Sequence, residues 1–300
     1  MDFISSYFQN HKDLSVLQFE TRNANLLNCI SFKEAQKKSL IFISEFDDLY
    51  NLIITNTSTK YVLIINGEFL FGSKLTGIVN RSILISPNSK TILPVTYVNE
   101  NILGYNLEES IGDNSFIPFN IRSEISIKVS KVLKNLKPVK SIQRVVWGKP
   151  IISQGNNQEL YSTNSFVKNN SANLNSKVFS YTLDWRANSM AMFKNNRLLS
   201  IDIFHNKQIF KDNYHKVIRG SLFDTQQIKL SNNKMSQEEA IIKTKHILTM
   251  LTKSKYFTYD SFGVGTEIRS NYKNVTFSEL NYKNHLIHLG ALVSPNYLFR

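Results

Sequence analysis

Apolar positions along the chain first fall into short strand-like runs and then change period. Between residues 40 and 98, "LIFISEF", "YNLIITNT", "KYVLIINGEFLFG", "NRSILIS" and "TILPVTYV" follow one another, rich in β-branched and aromatic side chains. Polar turn formers separate them, which predicts an antiparallel β region. Asn66-Gly67 lies between two apolar runs, and that dipeptide tolerates the positive φ of a two-residue hairpin turn. Pro87-Asn88-Ser89-Lys90 is a loop made of turn formers.

Over 120–136 the period becomes helical. Ile121, Ile125, Val129, Val132, Leu133 and Leu136 recur three or four apart, Asn120 is placed to cap the start, and Pro138 ends the run. Lys128, Lys131 and Lys134 fall off this stripe and read as a solvated face. Ser31-Phe32-Lys33-Glu34 and Ser236-Gln237-Glu238-Glu239 have the capping-box pattern and open helices toward Ser39 and Lys253, the second with Ile241, Leu248 and Leu251 inward. A further helix is expected from Asn206 to Arg219, burying Phe210, Tyr214 and Val217.

"SMAMFKNNRLLSIDIF" reads as a hairpin turning at Asn195-Asn196, and "GTEIRSNY", "VTFSELN" and "HLIHLGA" as a closing β meander. Residues 153–176 are Asn- and Ser-rich without apolar period, an exposed, flexible insertion. These elements imply an α+β fold of mainly antiparallel sheets, two of them packed together, flanked by about four helices. One domain over residues 1–300 accommodates them; a subdivision into 1–150 and 177–300 is the alternative.

Composition narrows the function classes. The chain is 42% hydrophobic with 20 Phe and 13 Tyr, a globular profile that excludes disorder. One cysteine, Cys29, excludes an intrachain disulfide framework and a cysteine-based zinc site, and reads as a small buried hydrophobe. The amino-terminal "MDFISSYFQNHKD" lacks a basic segment before an apolar stretch, and no apolar run approaches the ~20 residues of a membrane span. A soluble, cytoplasmic protein with no membrane partner is expected. The net charge of +13 suits phosphate or nucleic acid, but Lys is scattered along the chain and forms no dense block.

Standard catalytic motifs are missing: no phosphate-binding G-x-x-x-x-G-K-[ST], no H-E-x-x-H, no G-x-S-x-G. "GVGTEI" lacks a third glycine and precedes a strand, so it is no dinucleotide cradle. His285 and His288, three apart on a strand, point to opposite faces; no metal site is expected and no cofactor is indicated. The meander is more informative. With Lys273-Asn274 and Tyr282-Lys283-Asn284 as turns, Arg269, Ser278 and His288 form one row, with Glu267 two residues from Arg269. Ile268, Phe277, Ile287 and Leu289 then form the buried side, leaving the polar row outward. Such a row would bind an anion through Arg269 while Glu267 and His288 handle a proton; cross-strand pairing on a wet face is the plainer account. Similarly, "GSKLTG" is placed to form an anion nest with Lys74, and Asn80 and Arg81, on opposite faces, would contribute one side chain at most. Trp147 reads as core in preference to a stacking platform.

The stretch "LIINGEFLFGSKLTGIVNRSILISPNSKTILPVTYV", with "QRVVW", "NSMAMFKNNRLLSIDIF" and "GTEIRSNYKNVTFSELNYKNHLIHLGAL", resembles the ARG and rhodanese–phosphatase-superfamily-associated domain over Ser15 to Leu292. ARG there denotes ADP-ribosylglycohydrolase. The resemblance implies one elaborate domain acting near ADP-ribose or NAD metabolism. Lys74 is followed by Leu75-Thr76-Gly77 where the family carries Gln-Asn-Arg, a departure that tilts the expectation toward binding without turnover. The expected partner is therefore a small anionic nucleotide-type ligand, with Lys74, Asn80, Arg81, Arg269 and Ser278 binding it and Glu267 and His288 as acid–base groups. A nucleic-acid-binding accessory role and a non-catalytic assembly role are the alternatives.

Overall fold

The computed structural model describes residues 2–11, 14–22, 27–46, 51–72, 76–98, 116–135, 176–225 and 235–298. Lys74, Trp147, "QRVVW" and almost all of the Asn/Ser-rich segment lie outside them. The strands form three sheets, one more than the sequence suggested. The largest has eight strands in the order β1 (Phe3–Asn10), β2 (Ser15–Thr21), β11 (Ser189–Lys194), β12 (Arg197–Phe204), β16 (His285–Val293), β15 (Val275–Tyr282), β14 (Thr266–Tyr272) and β13 (Tyr256–Asp260). The sheet thus pairs the first two described strands with strands that begin only at Ser189.

A three-stranded sheet, β3 (Cys29–Ser31), β6 (Tyr61–Ile64) and β9 (Ile83–Ile85), lies between larger layers. Its alternation shows why. Cys29, Leu63 and Leu84 join the main core with the eight-stranded sheet, while Ile30, Val62, Ile64, Ile83 and Ile85 pack against the other sheet. That other sheet has five strands: β4 (Ile41–Glu45), β5 (Asn51–Asn56), β10 (Ser89–Val98), β8 (Thr76–Val79) and β7 (Phe69–Phe71). The strand pairs with both members within 40–98 are antiparallel, as the pattern predicts; β6 also pairs in parallel with β3, which precedes that span. The fold is α+β.

Asn66-Gly67 does not make the expected hairpin. β6 pairs with β3 and β9, and β7 pairs with β8, so the dipeptide carries the chain from one sheet to another. Gly67 has φ of +97°, a conformation the missing Cβ makes accessible, and Asn66 spends its side chain on a distant arginine instead of a local turn.

Helix α1 (Phe32–Lys37) is capped by Ser31, whose Oγ accepts from the Glu34 amide at 3.0 Å. Helix α2 (Phe119–Asn135) buries Ile125, Val129 and Leu133 and exposes Lys128, Lys131 and Lys134. It begins one residue before Asn120, the residue expected to cap it. Helix α3 (Lys207–Thr225) is capped by Asn206, which accepts from the Ile209 amide at 2.8 Å, and buries Phe210, Tyr214 and Val217. Helix α4 (Gln237–Lys253) opens with the complete capping box of Ser236 and Glu239. A short α5 (Pro295–Leu298) follows β16.

The helices divide between the two faces of the large sheet. Tyr214 of α3 receives a hydrogen bond from Gln18, and Arg122 of α2 reaches Asp202 on the same face. Lys245 of α4 lies over Phe3, which packs on Phe19 of the opposite face. Both sides of the sheet are covered, and this decides the fate of its polar residues.

Candidate functional site

The register of the meander differs from the expected one at a single point. Arg269 faces Ser278, as predicted. Ser278 faces Gly290 and not His288, because Lys283-Asn284 alone forms the second turn and the ladder shifts between Leu280 and Asn281. His288 instead faces Leu280, one pair along on the same face. Gly290 leaves Ser278 and His288 side by side: a Cβ there would stand 3.6 Å from both Ser278 Oγ and His288 Cε1.

The larger correction concerns solvent. The polar row does not point outward. Glu267, Arg269, Ser278 and His288 are all buried, because α2 crosses this face of β15 and β16 and lays Arg122, Ser126 and Ser130, four residues apart, against it. The connection 80–82 closes the layer from the three-stranded sheet, and Asn80 and Arg81 are both buried there; the nest expected at Lys74 lies outside the described residues.

One part of this layer is a ring completed by a long His288–Asp202 contact, since His288 Nε2 has no hydrogen-bond partner among the described residues. The Asn66 amide donates to Ser82 Oγ at 3.1 Å, so the Ser82 hydroxyl is free to donate to His288 Nδ1 at 3.0 Å. That leaves His288 Nε2–H facing Asp202 Oδ1 at 3.5 Å, a long contact. Arg122 grips Asp202 with both terminal nitrogens, at 2.6 and 3.1 Å, and returns to the Asn66 carbonyl through Nε at 3.1 Å. Burial pushes the Asp202 carboxyl up, but Arg122 and the His288 contact outweigh it and hold the group ionised, below the usual carboxylate range. Burial holds the His288 imidazole below its ordinary value, against the opposing pull of Asp202, and it stays neutral. Beside the ring, Lys216 Nζ pairs with Glu68 Oε1 at 2.6 Å, and Glu68 Oε2 accepts from the Ile65 amide at 2.9 Å.

The second part is not closed. Arg81 and Arg269 bracket the Glu267 carboxylate, one Nε on each oxygen. Arg81 Nη2 donates to the Asp260 carbonyl at 3.0 Å, and Arg269 Nη1 to Ser126 O at 3.1 Å and Ser130 Oγ at 2.9 Å. Arg81 Nη1, Arg269 Nη2 and Ser126 Oγ are buried with no hydrogen-bond partner among the described residues. Asn80 Nδ2 is a fourth such group, its Oδ1 being taken by Thr96. Burial opposes ionisation of Glu267, yet the two guanidiniums hold its carboxyl below the usual range. Arg269 is lowered by burial and by the neighbouring Arg81. Phe262 covers the Arg81 guanidinium, 4.8 Å from its ring centre.

Sequence reasoning reached Asn80, Arg81, Glu267, Arg269, Ser278 and His288 but missed Asn66, Glu68, Ser82, Arg122, Asp202 and Lys216. Asp202 and Ser200 alternate with Leu199, Ile201 and Ile203 and therefore read as the solvent side of a strand. A usable signal was Arg122, a cation one residue from Ile121 at the buried start of a helix. Cys29 is buried and its thiol is pushed up to about 12 by burial, which leaves it protonated and unreactive at neutral pH. Among the described residues no three His, Cys, Asp or Glu side chains group as metal ligands, and no helix is long and apolar enough to cross a membrane. An open groove of about 520 Å³ at Gly265, Thr266 and Asn281–Asn284 is lined by the start of β14, the end of β15 and the turn after it, and by none of the buried charges.

The family model of the ARG and Rhodanese-Phosphatase-superfamily-associated Protein domain, ARPP-1, matches residues 5–292. The chain belongs to that family. The match runs from within β1 to the penultimate residue of β16, so strands of all three sheets and the whole buried polar layer lie within the ARPP-1 domain. No curated protein and no solved structure matches the chain.

Proposed function

We propose that this ARPP-1 domain binds a small anionic ligand of the phosphate-bearing, nucleotide type at Arg81, Glu267 and Arg269. One observation carries the reading: two guanidiniums share a single carboxylate, and each keeps a buried terminal nitrogen without an acceptor. Buried donors are nearly always satisfied, and leaving one unpaired costs about 1–3 kcal/mol, more for a charged group. An oxyanion between them removes that cost and balances the surplus positive charge. ADP-ribose and NAD derivatives enter as candidates through the ARG association in the family's description. Glu267 and His288 are both engaged within the protein, which favours binding over turnover. The nucleic-acid and assembly readings rest on net charge and aromatic content alone.

Thermal melting of the full chain with inorganic phosphate, ribose 5-phosphate, ADP-ribose and NAD tests this. At a hundredfold excess over Kd, a ligand that binds only the folded state stabilises it by about 2.7 kcal/mol. At least one of these compounds should raise the melting temperature, and Arg269→Lys, which keeps the charge but loses the forked donor, should shrink the rise. No rise with any of them ends the proposal.

A further inference from the structure

Resting on that reading, we propose that the site takes the terminal phosphate of a phosphomonoester and that Tyr259 is both its third donor and its opening to solvent. Tyr259 stands on β13, the edge of the eight-stranded sheet, directly opposite Glu267 in the ladder. It lies within electrostatic reach of Arg269, Glu267 and Arg81 together. Its hydroxyl has no hydrogen-bond partner among the described residues. Burial raises its pKa above the ordinary phenol value, so it stays protonated and able to donate.

Exposure sets the direction of entry. Arg81 is 4% exposed, and Glu267 and Arg269 are each 2% exposed. Tyr259 is half-buried and its neighbours Thr258 and Asp260 on the edge strand are exposed. Ser126 and Ser130 of α2 close the floor, and Phe262 closes the side over Arg81. Among the described residues, the side of this cluster nearest solvent is the edge strand that carries Tyr259. A ligand held there can carry one substituent outward.

That geometry discriminates between kinds of phosphate. A phosphomonoester presents three terminal oxygens to Arg81 Nη1, Arg269 Nη2 and the Tyr259 hydroxyl, and its single ester oxygen points out along the open side. A disubstituted phosphorus, as in a phosphodiester or in the internal diphosphate of ADP-ribose with its ester and anhydride bonds, has fewer terminal oxygens to offer. Inorganic phosphate shares the monoester's chemistry.

Isothermal titration of the full chain at constant ionic strength, with inorganic phosphate, ribose 5-phosphate and ADP-ribose as probes, separates the outcomes. Phosphate and ribose 5-phosphate should bind at pH 7.5, and ADP-ribose at least tenfold more weakly. Tyr259→Phe keeps the ring but removes the donor, and should weaken ribose 5-phosphate about tenfold or more with the melting temperature unchanged. Between pH 7.5 and pH 5, affinity should fall about tenfold as the second phosphate proton, with pKa near 6, returns. ADP-ribose binding as tightly as ribose 5-phosphate, or Tyr259→Phe binding like the natural protein, overturns the monoester assignment and leaves anion binding intact. Binding of no probe overturns both.

Discussion

Replacing Asp202 by asparagine removes the charge that Arg122 holds with both terminal nitrogens. The guanidinium is 2% exposed and cannot reach water, so it is left as an uncompensated buried cation. Asp202→Asn should cost about 3–5 kcal/mol in chemical denaturation, whereas replacing Arg122 and Asp202 together by apolar residues of similar volume should cost far less. A loss below ~1 kcal/mol for the single variant would mean that the ring does not hold the layer together. The same residue shows where legibility stops at this scale. Ser200 and Asp202 alternate with apolar neighbours, and period alone cannot tell a wet face from one covered by another part of the chain. Arg81, Glu267 and Arg269 were found as chemistry-bearing side chains, but their sharing of one carboxylate depends on two distant segments, 80–82 and β14, meeting in space.

Elements with local signals were legible. Asn195 and Asn196 both have positive φ and turn the β11–β12 hairpin where the dipeptide predicts it, because asparagine tolerates that region. Lys283-Asn284 does the same between β15 and β16, and a register counted from a three-residue turn slipped by one pair as a result. The cap of α4 gives a quantitative check. Ser236 Oγ accepts from the Glu239 amide at 3.1 Å, and Glu239 Oε2 accepts from the Ser236 amide at 2.9 Å. Ser236→Ala should therefore lower stability by about 1 kcal/mol, read as a lower denaturant midpoint with an unchanged slope. The pairing of β6 with β3 and β9 had no local signal, since partner choice among short apolar strands is set by the layers around them.

For the whole molecule, the buried layer predicts a one-sided response to acid. His205, His215 and His288 are all held below the ordinary histidine value of 6.5, chiefly by burial. The unfolded chain therefore takes up protons that the folded chain refuses once pH drops below about 6.5, and stability falls. Asp202 and Glu267 are lowered carboxylates, so their contribution is present above the ordinary carboxylate range, near pH 4, and is lost as pH falls further. Both effects have the same sign. The melting temperature should hold steady above pH 7 and decline steadily from about pH 6.5 toward pH 4; an unchanged or higher value at pH 5 would contradict the burial of these groups.

The position of the first two strands has a consequence for how the molecule is made. β1 and β2 leave the ribosome first, yet the neighbour of β2 in the sheet is β11, which begins at Ser189. At translation speeds of roughly 5–20 residues per second, that neighbour arrives on the order of ten seconds later. Through this interval the nascent hairpin has an unzipped flank and an uncovered greasy side. The yield of this chain should therefore follow the supply of chaperones during synthesis more closely than the stability of the finished fold.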